Sequence, residues 1–190
     1  MGYDEKIFKA KANIKARRLW LVFAILLTAN YGTDTANGAY SISNYIIFVI
    51  LCWLPFVCGD ILLKRTGKDN DRYRLAFVIG YGIFYVFLLC TTTSPIAFTY
   101  ILPIISLIVI FKDEKFMIYC AVANMLSLIA SIAFHIFVLG QNTAADHKNY
   151  QLQIACLLLC YIGYIMSVRH LTESDAALTE SIKSDLNRVV

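Results

Sequence analysis

The sequence predicts an all-α, polytopic membrane protein, a bundle of six transmembrane helices with both termini cytoplasmic. Three observations predict it. Hydrophobic residues make up 59% of the chain and charged residues 16%, whereas soluble domains average about 45–50% and about 25%. Six apolar stretches alternate with short polar connections, and 190 residues hold little beyond six spans of about 20 residues each. The cations crowd into alternate connections, as the positive-inside rule requires of a chain that crosses the bilayer an even number of times.

Residues 1–18, MGYDEKIFKAKANIKARR, combine six Lys/Arg with an apolar stripe of Ile7, Phe8, Ala10, Ile14 and Ala16. This basic amphipathic segment suits an anionic lipid surface and also flanks the first span. Span 1 covers residues 19–31, and GTDTANGAYS follows as a loop without a cation. Span 2 covers 42–63, with Pro55 as an expected kink tolerated because neighbouring helices satisfy the freed backbone. KRTGKDNDRYR (64–74) is a basic loop, and span 3 covers 75–90.

TTTSP (91–95) is a short turn whose Pro95 suits the first turn of a helix. Span 4 covers 96–111 and is interrupted by Pro103, and KDEK (112–115) closes a tight hairpin into span 5 at 116–139. GQNTAADHKNY (140–150) reads as the last loop, and LQIACLLLCYIGYIMSV is span 6. From Arg169 the chain turns polar with no Pro or Gly to stop the helix, and Leu171, Leu178, Ile182 and Val189 fall near heptad spacing, interrupted by Asp175 and Asp185. The expected organisation is therefore 1–18 as a cytoplasmic segment, 19–168 as the transmembrane domain, and 169–190 as a cytoplasmic helical extension. The extension reads as a linker to a signalling domain that these residues do not include.

The N-terminal segment, the 64–74 loop, the 112–115 turn and the tail hold six, five, two and three Lys/Arg, sixteen of seventeen; the remaining one is Lys148. The net charge of +4 thus belongs to membrane flanks, which removes nucleic acid as a partner. Six cysteines (Cys52, Cys58, Cys90, Cys120, Cys156 and Cys160) all sit in apolar runs, where a thiol behaves as a small hydrophobe. None has zinc-ligand spacing, so no metal or cofactor is expected.

Polar groups inside spans are costly and so mark candidate sites. Asp60 lies four residues before Lys64, spacing for an ion pair on one helix face, with a proton relay as the alternative. His135 falls near the outer surface, where it serves as a ligand contact, a pH sensor or a hydrogen-bonded interface residue. Asn124, Ser127 and Ser131 share one side of span 5, a placement common in helix packing. Tyr85, Thr91, Thr92, Thr93, Ser94, Thr99, Tyr100 and His135 collect in the outer half. Two readings stand for this cluster, an outward-open pocket with aromatic walls and an aromatic belt with wet loop ends. The candidate ligand contacts are Tyr85, Thr99, Tyr100, Asn124 and His135. No catalytic set is present: no Gly-x-Ser precedes a buried His, no Cys has a His beside it, and no acidic pair sits in a span. The chain is not expected to be an enzyme.

The order of features in spans 2 to 5 resembles a membrane module of bacterial signalling receptors. LLKR and a charged loop lead into DRYRLAFVIGYGIFYVFLL and a Thr-rich turn; SPIAFTYILPIISLIVIF and the KDEK hairpin follow. In that family a similar six-span block precedes a methyl-accepting chemotaxis signalling domain, or a kinase or cyclase domain, and SDAALTESIKSDLNRVV is similar to the helical run-in of such domains. The resemblance implies a sensory module, a homodimer in the bilayer, that binds a small extracellular or membrane-borne ligand and relays a shift through the last helix. It implies no particular ligand. The alternative is a substrate-binding subunit of a vitamin-type transporter, which resembles the chain in length and topology.

Overall fold

The computed structural model describes residues 3–92 and 94–189; Thr93 and the side chain of Val189, on which two sequence expectations fall, lie outside the described residues. The described chain folds into six α-helices: α1 (Tyr3–Ala36), α2 (Ile42–Thr66), α3 (Arg72–Thr91), α4 (Leu102–Ile108), α5 (Glu114–Phe137) and α6 (Ala144–Val189). Short 3₁₀ segments, Ala97–Ile101 and Val109–Phe111, flank α4. Four helices, α2, α3, α5 and α6, are long and apolar enough to cross a bilayer, which makes this a multi-pass membrane protein. The apolar stretch Ala97–Phe111 is shorter. Its 3₁₀ ends rise about 2.0 Å per residue against about 1.5 Å in an α-helix. They stretch it to about 27 Å, close to the hydrocarbon thickness of about 30 Å.

α1 runs unbroken through the boundary that composition places at residue 18. Ala12, Ala16, Trp20, Ala24, Leu27 and Tyr31 are buried at helical spacing, so one face of the whole helix meets the bundle. Asn13 joins that face near the N-terminal end, its amide donating to the Lys68 and Asn70 carbonyls at 2.9 and 3.0 Å. α2 starts at Ser41, whose hydroxyl accepts from the Asn44 amide. It turns Ile46, Ile50, Leu54, Val57 and Ile61 outward, each 46–56% exposed. Such a row of bare aliphatics is a lipid-facing surface rather than a soluble one.

Helix α1 packs on α2, α2 on α3, α3 on α5, and both α4 and α5 on α6. The α1–α3 side of the core is aromatic: Tyr31 stacks on Tyr40 and Phe48, Phe48 meets Phe84 edge-on, and Trp20 meets Phe77 and Tyr81 edge-on. Pro55 deprives the Leu51 carbonyl of its helical donor, and one residue on, the Trp20 indole donates to the Cys52 carbonyl at 3.2 Å. α3 approaches this point on Gly80, where a Cβ would stand 2.4 Å from the Pro55 Cβ.

Pro103 does not kink a continuous helix. It sits in the first turn of α4 and ends the 3₁₀ segment before it. Having no N–H, it leaves the Tyr100 carbonyl without a donor three residues on, and the Tyr81 hydroxyl supplies one. The Tyr85 hydroxyl donates likewise to the Phe98 carbonyl at 3.0 Å.

The four basic segments meet at one end of the bundle. Lys9 pairs with Asp71 at 2.9 Å, and Asp60 lies between Arg17 and Lys64 at 2.5 and 2.9 Å. Arg74 pairs with Asp113 at 2.7 Å and Arg169 with Glu114 at 2.6 Å. Asp60 is therefore held in an ion pair, as its spacing from Lys64 predicts.

Candidate functional site

The end of the bundle opposite the basic one carries a cavity of about 190 Å³. The end of α3 and the turn after it contribute Leu89, Thr92, Ser94 and Pro95; α5 contributes Ser131, Ile132 and His135; and α6 contributes Asp146, Asn149, Tyr150 and Gln153. Ala97, Phe98 and Gln141 complete the wall.

His135 organises the site. It closes the buried stripe of α5, where Met117, Cys120, Asn124, Leu128, Ser131 and His135 recur every three or four residues. Its Nε2 lies 2.8 Å from the Leu89 carbonyl and its Nδ1 2.7 Å from Gln141 Oε1. A carbonyl only accepts, so Nε2 carries its proton toward Leu89. The ring thereby satisfies a carbonyl in the last turn of α3, where intrahelical donors run out. The Gln141 amide, which can turn either its oxygen or its NH₂ to Nδ1, matches either charge state of the ring. Gln141 itself follows Gly140 at φ +69, a left-handed turn that glycine adopts without strain, and its carbonyl accepts from the Tyr150 hydroxyl of α6 at 3.2 Å.

α6 starts at Ala144, eight residues before its apolar run, so most of the 140–150 stretch that reads as a loop is the first two turns of this helix. Thr143 and Asp146 cap it reciprocally: the carboxylate accepts from the Thr143 amide at 2.9 Å, and the Thr143 hydroxyl accepts from the Asp146 amide at 3.2 Å. This is the capping-box arrangement. It sets Asp146, Asn149, Tyr150 and Gln153 on one helix face, spaced three, four and seven residues from the first, and that face is the cavity wall. Gln153 also donates to the Pro95 carbonyl at 2.9 Å, tying α6 to the turn after α3.

Of the five candidate contacts, His135 lines the cavity and the other four do not. Tyr85 is fully buried and holds the Phe98 carbonyl. The Thr99 hydroxyl returns to the Ile96 carbonyl at 2.8 Å, and Tyr100 offers its carbonyl to Tyr81. Asn124 is buried about three turns deeper on the same α5–α6 pair, donating to the Tyr161 hydroxyl. Their bonds hold backbone and neighbouring helices in place outside this cavity. The lining residues of α6 were missed because 140–150 reads as a loop; the signal that could have found them is the capping-box spacing of Thr143 and Asp146 with the polar stripe after it.

The chain matches no protein-family model, and no curated protein and no solved structure matches it.

Proposed function

We propose that the chain is a sensory transmembrane module whose cavity takes a small polar ligand from the extracellular side and whose last helix carries the response to the cytoplasm. One observation carries this reading. A single helix, Ala144–Val189, walls the cavity with its first turns and ends as an exposed polar rod, about 69 Å long at about 1.5 Å per residue. Any shift of α6 at the cavity is transmitted rigidly to the tail. A cavity of about 190 Å³ is below the ~300–1,000 Å³ of drug-sized sites, so the ligand is small.

The gathering of cations at one end supports six crossings of the plasma membrane with both termini cytoplasmic. α1 and the Ala97–Phe111 stretch then join the four long helices as spans. Exposed Leu171, Leu178 and Ile182 supply a seam through which a second copy pairs, as in the chemotaxis-type receptors the sequence resembles. Nothing in this reading requires catalysis. The rod favours it over a transporter's binding subunit, which has no use for one.

The test is a thermal-shift screen of small polar metabolites against the reconstituted chain. A ligand of the cavity raises the unfolding temperature, and Asn149→Ala or Gln153→Ala removes the rise; Asn149→Ala, which breaks no tie to another element among the described residues, does so without lowering the ligand-free value much. Inserting two residues after Val168, which rotates the tail by about 200°, leaves binding intact and changes the output of a fused cytoplasmic reporter. A hit that is indifferent to both cavity variants, or a reporter indifferent to the insertion, sinks the proposal.

A further inference from the structure

Lys112, Asp113 and Glu114 are consecutive charges in the turn between α4 and α5, and each reaches a different partner. Asp113 fixes the turn to the bundle. One carboxylate oxygen accepts from the Phe116 amide at 2.9 Å, capping α5, and the other takes Arg74 of α3 at 2.7 Å. The Arg74 guanidinium also lies 4.8 Å from the centre of the Phe116 ring. The two flanking charges both point to α6. Glu114 accepts from Arg169 Nη2 and Nε at 2.6 and 3.2 Å, and the Lys112 ammonium pairs with the Asp175 carboxylate. Lys112 Nζ also stands 5.5 Å from the centre of the Phe8 ring on α1. Among the described residues Lys112 is the one non-glycine with positive φ, +50, a backbone state disfavoured for a side chain of this size.

The two grips on α6 are six residues apart, roughly 9 Å along its axis. A single contact would leave the rod free to swing; two at this separation fix both its tilt and its rotation. Val168, just above the first grip, is fully buried, and beyond the second Leu178 and Ile182 are 62% and 55% exposed. The grips therefore stand where α6 leaves the bundle. Side-chain exposures of 31% and 54% for Lys112 and Asp175, and of 62% and 31% for Arg169 and Glu114, make both pairs individually weak and open to screening. Weak contacts of this kind are what a reversible element needs, since a ligand shifts an equilibrium only by its differential affinity for the two states.

We propose that the Lys112–Glu114 turn is an electrostatic clasp that holds the first turns of the α6 extension docked on the basic end of the bundle, and that opening it frees the extension. That opening is the output step rests on the sensory reading above; the docking does not.

Hydrogen exchange of the full chain in neutral-lipid nanodiscs tests the clasp. In Lys112→Glu the amides of residues 170–185 exchange faster, by about fivefold, while the α3 and α5 core stays protected. The swap Lys112→Glu with Asp175→Lys returns the rate to the wild-type value. Raising salt from about 50 mM to about 500 mM, which shortens the screening length severalfold, speeds exchange of the same segment in wild type and not in Lys112→Gln/Glu114→Gln. A rate unchanged in Lys112→Glu, a swap that fails to restore it, or a salt response that persists in the double variant overturns the clasp. A cavity ligand that binds without altering exchange at 170–185 overturns the output role alone, leaving salt and swap to decide the docking.

Discussion

Tyr81 and Tyr85 stand one turn apart on α3, and their hydroxyls do for the 97–101 backbone what water does for a loop in a soluble protein. At membrane depth no water is at hand, so a 3₁₀ segment is tolerated only where side chains take up its spare carbonyls. Tyr81→Phe leaves the Tyr100 carbonyl without a donor, at a cost of about 1 kcal/mol. Calorimetry in detergent should show a lowered unfolding temperature, and an unchanged one would mean that the carbonyl finds another partner. Gly80 presents a sharper case. A methyl group there would stand 2.4 Å from the Pro55 Cβ, a distance no non-bonded pair of carbons occupies, so α2 or α3 must shift at this crossing. Overpacking of this order costs about 1–3 kcal/mol. Gly80→Ala should be clearly less stable than Gly82→Ala, whose Cβ meets nothing within 4 Å; equal stability of the two would refute the close crossing.

Among the elements, α6 joins the cavity to the tail, and its start is set by the Thr143–Asp146 cap. Thr143→Ala removes a cap worth about 1 kcal/mol and loosens the turns bearing Asn149 and Gln153. Hydrogen exchange should rise at residues 144–150 and nowhere in α2; exchange unchanged there would show that the tie from Gln153 to Pro95 suffices. Periodicity in the sequence reveals part of this element. The breaker-free run after Arg169 gave the continuous rod, because nothing in it opposes a helix. The first turns of α6 were hidden because Asn, Asp, Thr and Gly near a helix start are also the residues of loops. His135 was legible as an isolated polar group at a helix end. Its partners, Leu89 and Gln141, were not, since one is a main-chain carbonyl 46 residues away and the other sits in a turn. Tyr85, Thr99 and Tyr100 shared a depth with His135, and Asn124 lay deeper on the same helix; depth alone does not say which helix face a residue occupies.

At the scale of the whole molecule the two ends are chemically opposite, and the contrast bears on insertion. Sixteen of seventeen Lys/Arg belong to the end where Lys9, Arg17, Arg74 and Arg169 are ion-paired, while the cavity end has Lys148. The Asp71 carboxylate beside Lys9 holds its ammonium pKa above the usual lysine value, so the basic end keeps this charge as pH rises. Cations within about 15–20 residues of a span set its orientation, and here every basic connection votes the same way. The membrane potential and anionic inner-leaflet lipids both favour keeping such an end inside. A cysteine replacing Lys148 should therefore react with a membrane-impermeant maleimide in intact cells. One replacing Ser181 should react only after permeabilisation, each judged against a background lacking the exposed native Cys58. The reverse pattern would overturn the orientation and, with it, a cavity facing outward. Equal labelling of both in intact cells would mean mixed insertion, which a bias of sixteen to one is physically unsuited to give.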